Sequence, residues 1–234
     1  MHAVTSTAAP PASDLPLLAP NASFFRRFTL AVRSLQILAN DPPNPHYGPL
    51  LNACMDSETY AKLALVWRAD DDGRRLLDER PTLQGVELDL DALTAMPEGT
   101  LGHEFMRYFR DNKISPFVTT FPIASDVDYL SKRYRETHDL LHLVTGYGTD
   151  EPGEMELQAF VLGNLRVQQA KLILFFGAVR QMFRDGPLSL ITYVKRARAA
   201  YARGVASKNV LRVPYETLWT TPVSTLASSL CPPM

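Results

Sequence analysis

The chain has 234 residues, with 24 Lys and Arg against 25 Asp and Glu, a formal net charge of −1, and two cysteines. That length suits one large domain with a sizeable core, and the balanced charge removes the global positive field that nucleic-acid binders carry. Cys54 and Cys231 lie far apart in the sequence; they match neither a disulfide framework nor a paired-cysteine metal knuckle, and both are expected to be unpaired, as in a reducing compartment.

Residues 1 to 23 are rich in Ala, Pro, Ser and Thr, with Pro10, Pro11, Pro16 and Pro20 and a single charge at Asp14. Such a segment buries too little apolar area to order itself and reads as a disordered extension. It has neither the basic start and apolar core of a signal peptide nor the arginines of a mitochondrial presequence. From residue 24 onward helical spacing dominates, and the expectation is an all-α fold, a single bundle-like domain of roughly eight helices over residues 24 to 234.

Phe24, Phe28, Ala31, Leu35 and Leu38 mark an amphipathic helix that stops before Asp41-Pro42-Pro43, because proline cannot continue it. Ser57 is placed to cap a second helix through Trp67, and Asp71 to Arg80 gives a third that ends at Pro81. Asp89 is placed to cap a short helix ending near Met96, and Thr100 another through Asn112. Residues 113 to 124, with Pro116 and Pro122 among aromatic and β-branched residues, read as an extended linker crossing a pocket. No run of strands and no internal repeat is visible.

The next helix carries the chemistry. Ser125-Asp126-Val127-Asp128 has capping-box spacing, and Gly146 supplies the left-handed residue that commonly follows a helix end. On a helix turning about 100° per residue, His138, His142 and Asp139 fall at roughly 0°, 40° and 100° of azimuth. After a glycine-punctuated loop, Pro152 is tolerated only in a first helical turn, and Glu154 follows it. Two imidazoles and two carboxylates around one point are ligands for a borderline divalent cation. Each residue also has an ordinary reading: a His-Asp pair is more often a hydrogen-bonded core histidine, and a glutamate in a first turn complements the helix dipole. His2, His46 and His103 stand outside the pattern and are expected to have ordinary structural roles.

From about Asp150 to Phe183 a long apolar helix is expected, with Leu157, Phe160, Val161, Leu165, Ile173, Phe176, Val179 and Phe183 as core or pocket wall. Its longest apolar run, Leu172 to Val179, ends between Lys171 and Arg180 and is far too short to span a bilayer. The segment Leu188 to Lys208 puts Leu190, Ile191, Val194, Ala197, Tyr201 and Val205 at helical spacing beside Lys195, Arg196, Arg198, Arg203 and Lys208. A solvated face is the default for that charge, and binding to an anionic lipid surface is the alternative.

The pattern H-D-x-x-H, eleven residues, then E, within Arg135 to Glu154, resembles the Coq4 family of ubiquinone-biosynthesis proteins. Leu76-Leu77-Asp78-Glu79-Arg80-Pro81, Asp89-Leu90-Asp91-Ala92-Leu93 and Pro97-Glu98-Gly99-Thr100-Leu101-Gly102 are similar to family segments in the same order. The likeness runs from about residue 24 to the C-terminus, with a departure at Ala227, where the family often has arginine. It implies a metal site of His138, Asp139, His142 and Glu154, with Asp139 and Glu154 doubling as catalytic groups, and one divalent ion, zinc being the expected one.

The resemblance also implies a substrate, a polyprenylated hydroxybenzoate precursor that loses a carboxylate and gains an oxygen at ring carbon 1. The apolar helix would then serve as a slot for the isoprenoid tail. Implied partners are the quinone precursor, a membrane surface bound peripherally on the inner face of a bacterial membrane, other enzymes of the same biosynthesis and a second copy of the chain. Two alternatives stand beside this: a non-catalytic prenyl-lipid scaffold that organises biosynthetic enzymes, and a metal-dependent phosphohydrolase, which would need more His and Asp ligands than remain.

Overall fold

In the computed structural model, which describes residues 22–40, 47–83, 89–113 and 123–233, the helical periodicity becomes eleven α-helices. They are α1 (Phe24–Asn40), α2 (Tyr47–Met55), α3 (Ser57–Arg68), α4 (Asp71–Glu79), α5 (Leu90–Thr94), α6 (Leu101–Asn112), α7 (Asp126–Thr145), α8 (Glu151–Leu165), α9 (Gln169–Asp185), α10 (Ser189–Ala206) and α11 (Val223–Leu230). Two 3-10 turns, Val210–Arg212 and Tyr215–Thr217, join α10 to α11. No strand occurs among the described residues, only an isolated bridge between Thr100 and Pro222. The all-α single domain is as expected, with three helices more than the eight anticipated; most of the N-terminal extension and of the linker lies outside the described residues.

The extra helices have physical causes. In α2, Pro49 falls in the first turn, where its missing N–H is no loss. The long apolar helix is cut in two at Arg166, which turns left-handed at φ 63° while its N–H closes α8 on the Leu162 carbonyl. The new start is capped from a distance: the fully buried carboxylate of Asp56 accepts the backbone N–H groups of Gln168 and of Gln169, the latter at 3.1 Å. Burial pushes the Asp56 carboxyl pKa up, against the opposing pull of those amides. Ser57 therefore does not cap α3, and its hydroxyl donates back to the Ala53 carbonyl at 2.7 Å.

Other caps stand where the sequence puts them. Asp89 accepts from Ala92 N–H at 2.9 Å and the Ser125–Asp128 capping box is complete; Asp150, expected only as the approximate start of a helix, proves to be its cap, accepting from Gly153 N–H at 3.0 Å. Thr100 occupies the start of α6 without a side-chain cap. Instead the Leu101 and Gly102 amides donate to the Thr221 and Trp219 carbonyls, each at 2.9 Å, which docks the C-terminal segment onto α6.

The central helix α7 contributes Leu130, Leu140, Leu141 and Val144 to the core, and α8 contributes Leu157, Phe160 and Val161, all fully buried. Each such side chain is worth about 2 kcal/mol in area removed from water. Arg133 is fully buried too, and every direction of its guanidinium is used: Nε donates to Leu211 O at 2.7 Å, Nη2 to Val213 O at 2.6 Å, and Nη1 to Glu216 Oε1 at 2.7 Å. This pairing fixes the two 3-10 turns against α7. Helix α10 crosses α8 so closely that a Cβ on Gly204 would lie 2.1 Å from the Phe160 carbonyl oxygen, which explains glycine there. A second, smaller cluster of Ala31, Leu51, Cys54 and Leu172 ties α1 and α2 to α9. Cys54 and Cys231 are buried and unpaired, as expected.

Candidate metal centre

The end of α7 and the start of α8 form the site. Gly146 ends α7 in the left-handed conformation at φ 77°. The chain then returns so tightly that a Cβ on Gly153 would fall 2.3 Å from the Gly148 carbonyl oxygen. With Asp150 capping α8 and Pro152 in its first turn, Glu154 is the first side chain of α8 positioned over the histidine face of α7.

His138 Nε2 lies 3.5 Å from Glu154 Oε1, and His142 Nε2 lies 3.1 Å from Glu154 Oε2. One ligand atom from each residue fits within a cluster no wider than 4.8 Å, and among the described residues these three are the group of His, Cys, Asp or Glu side chains that converges in this way. The rings of His138 and His142 meet edge to face, centroids 5.0 Å apart. His142 is buried, whereas His138 and Glu154 are half-buried.

The surrounding groups orient these donors. His142 Nδ1 lies 3.1 Å from the Tyr147 carbonyl oxygen, which can only accept, so Nδ1 carries a proton and Nε2 is the atom turned toward Glu154. Gln158, one turn along α8, donates from Nε2 to Glu154 Oε1 at 3.0 Å. Tyr108 reaches in from α6, its ring stacked on His142 at 5.8 Å and its hydroxyl 3.3 Å from Asp139 Oδ1.

Two imidazole nitrogens and both oxygens of one carboxylate thus face a common point. Such a concentration of lone pairs requires positive charge between them, from protons or from a metal. With protons alone, burial opposes charging of His138, but Glu154 outweighs it and raises the pKa to about 8. Burial likewise opposes the Glu154 charge, and the two histidines overcome it, holding the carboxyl well below its usual range. The donor set fits a divalent ion: two neutral imidazoles plus a carboxylate leave positions for water or substrate.

Three of the four expected ligands, His138, His142 and Glu154, are therefore brought together. Asp139 stands beside them but outside the group, engaged with Tyr108. His103 is half-buried with Nδ1 3.0 Å from the Met96 carbonyl oxygen, an ordinary structural role; His2 and His46 lie outside the described residues. Gln158 was legible as the i+4 neighbour of Glu154, whereas Tyr108, on a helix far away in sequence, carries no local signal.

Residues 20–231 match the family model described as coenzyme Q (ubiquinone) biosynthesis protein Coq4. The chain belongs to the Coq4 family. Among relatives, it is 32% identical over 166 residues to the mitochondrial ubiquinone biosynthesis protein COQ4 homolog of Rattus norvegicus, covering 70% of this chain and 62% of that protein. It is 33% identical over 174 residues to the Homo sapiens homolog, covering 71% of this chain and 64% of that protein. The Danio rerio homolog is 28% identical over 213 residues, covering 89% and 77%. The matched region thus spans somewhat less than two thirds of the rat and human relatives. A crystal structure from Nostoc punctiforme, of a candidate ubiquinone biosynthesis protein, superposes with a TM-score of 0.72 at 24% identity, covering 88% of this chain and 96% of that one. That likeness concerns the fold. Ala227 lies on α11, whose packing against the core runs through Leu226 and Leu230.

Proposed function

We propose that this Coq4-family chain acts in ubiquinone biosynthesis, binding one divalent metal through His138, His142 and Glu154 and using it on a carboxylated polyprenylphenol. The reaction class is replacement of the ring carbon 1 carboxyl by hydroxyl, the carboxyl leaving as carbon dioxide; molecular oxygen takes the two electrons and, with one water consumed, leaves as hydrogen peroxide. The observation that carries the reading is the convergence of both histidine Nε2 atoms on the two oxygens of Glu154, an arrangement made to surround a cation.

The bound ion would supply Lewis acidity toward the substrate carboxylate or phenolate. Two histidines and one carboxylate accept zinc, the expected ion, and are equally the donor set of non-haem iron, which suits oxygen chemistry. Glu154 contributes the negative charge that tunes the ion, and Gln158 fixes its carboxylate. Asp139, beside the group and hydrogen-bonded by the Tyr108 hydroxyl, would accept or return a proton at the substrate.

A polyprenyl tail needs a long apolar surface close to this polar chemistry. Phe175, Phe176 and Phe183 on α9, Leu188 just before α10, and Ile191 and Val194 on α10 are exposed, large apolar side chains that support an interaction surface here. This half of the long apolar segment supports the slot, while the α8 half is ordinary core. No described helix is long and apolar enough to cross a membrane, which accords with peripheral attachment to a membrane surface. The same apolar faces also serve the second reading, a non-catalytic prenyl-lipid carrier with the metal clamping α7 to α8. The phosphohydrolase reading finds no support in a cluster of three ligands.

Incubating the metal-loaded protein with the carboxylated prenylphenol under oxygen distinguishes these. Release of the carboxylate as carbon dioxide with an oxygen appearing on the ring supports the enzyme; tight binding without turnover selects the carrier.

A further inference from the structure

Arg203 belongs to α10, which supplies none of the three converging side chains, yet its guanidinium reaches the turn that ends α7. Nη1 donates to the Thr145 carbonyl and Nε to the Pro232 carbonyl, each at 2.7 Å. Its Cζ lies 5.3 Å from the centre of the Tyr147 ring and 5.9 Å from that of Phe160, and those two rings meet edge to face at 6.0 Å. The Thr145 carbonyl is among the last of α7, which the helix itself leaves unpaired, and a cation there also complements the negative end of the helix dipole. One side chain thus holds the residues on both sides of Gly146, the glycine whose left-handed φ of 77° lets the chain leave α7. The base of this clamp is rigid, because α10 is pressed against α8 so closely that a Cβ on Gly163 would fall 2.3 Å from the Tyr201 carbonyl oxygen.

We infer that Arg203 is a positioning residue for His142: by clamping Thr145 and Tyr147 it fixes the backbone carbonyl that keeps the His142 Nε2 atom turned to Glu154. His142 Nδ1 lies 3.1 Å from the Tyr147 oxygen, so the direction of that carbonyl decides which ring nitrogen faces the carboxylate. The inference rests on the metal reading above and deepens it, since partners behind a ligand set its ring orientation and tautomer. Arginine suits the task. Its planar fork serves two carbonyls at once while its charge rests over aromatic rings, a combination that a lysine cannot reproduce.

The test reads the His142 imidazole in the full chain before any metal is added, by nitrogen–proton correlation NMR at about pH 9, above the ordinary imidazole pKa; its signals are assigned by their loss in His142→Ala. The wild type should show a single tautomer protonated at Nδ1. Arg203→Met keeps a long side chain but removes the fork and the charge, so it should show mixed tautomers, and zinc affinity should fall about tenfold. Arg196→Met, on the same helix but paired with Glu156, should match the wild type in both measurements. A single Nδ1 tautomer with wild-type zinc affinity in Arg203→Met overturns the assignment, and so does an equal effect from Arg196→Met. A wild type that takes up no zinc, with the His142 tautomer still disturbed in Arg203→Met, overturns the metal reading and upholds the positioning. Melting curves establish that the variants are folded; should Arg203→Met fail to fold, Arg203→Lys, which keeps the charge without the fork, is measured in its place with the same expectations.

Discussion

Gln158 sits one helical turn beyond Glu154 and donates a hydrogen bond to its Oε1 at 3.0 Å. That bond aims the carboxylate at His138 and His142, and outer partners of this kind typically govern 10–100-fold in metal affinity. Gln158→Ala should therefore weaken metal binding by about tenfold while circular dichroism stays native. Unchanged affinity in a competition titration would remove Gln158 from the centre.

Protonation and metal binding compete for the same nitrogens. Since Glu154, against the effect of burial, raises the His138 pKa to about 8, its Nε2 is free above that pH and occupied below it. Apparent metal affinity should fall by up to about tenfold per pH unit below 8 for each proton displaced. The metal-free protein should show the reverse in stability. A raised folded-state pKa gives stabilisation that is full below the unfolded value near 6.5 and is lost as pH rises through about 8, worth about 2 kcal/mol at most. Melting curves between pH 6 and 9, with and without metal, should thus slope in opposite directions; parallel slopes would count against the pairing of His138 with Glu154.

Much of the α7–loop–α8 unit was legible because its signals are local. The Ser125 capping box, the left-handed Gly146 and Pro152 in a first turn all act within a few residues, and they place His138, His142 and Glu154 on facing helices. The break at Arg166 was not legible, because the group that caps α9 is the Asp56 carboxylate, 113 residues before Gln169. Apolar periodicity continues across that break, so pattern alone joins α8 to α9. Asp139 shows the same limit from another side. Its azimuth on α7 puts it beside His138, and the hydrogen bond it accepts from Tyr108 comes from tertiary packing of α6, which no local pattern announces.

Membrane attachment should depend on part of the basic face of α10. Arg196 is held by Glu156 through two bonds of 2.7 and 2.8 Å, and Arg203 donates to the Pro232 and Thr145 carbonyls. Lys195 and Arg198 are exposed on the same helix. Each basic residue near an anionic surface is worth about 1 kcal/mol at modest salt, so replacing both with Gln should weaken binding to anionic vesicles by about 30-fold. Flotation that is insensitive to this pair and to salt would assign attachment to other parts of the surface.

Chemistry separates from carriage at Glu154. Glu154→Gln keeps the shape and removes the charge, so turnover at saturating metal should fall by about 10² or more. Binding of a prenyl chain, which depends on the apolar faces of α9 and α10 and not on the Glu154 charge, should barely change. A folded Glu154→Gln protein with full turnover would leave Glu154 without a catalytic part.

The central claim is that His138, His142 and Glu154 hold one divalent ion, and elemental analysis of the purified protein beside His142→Ala tests it most directly. His142 is the buried ligand, fixed through Tyr147, so its loss removes the best-oriented nitrogen. The account predicts about one equivalent of metal in the wild type and almost none in His142→Ala, with a lower melting temperature in the variant because the α7–α8 tether is gone. Equal metal content in the two proteins would contradict it.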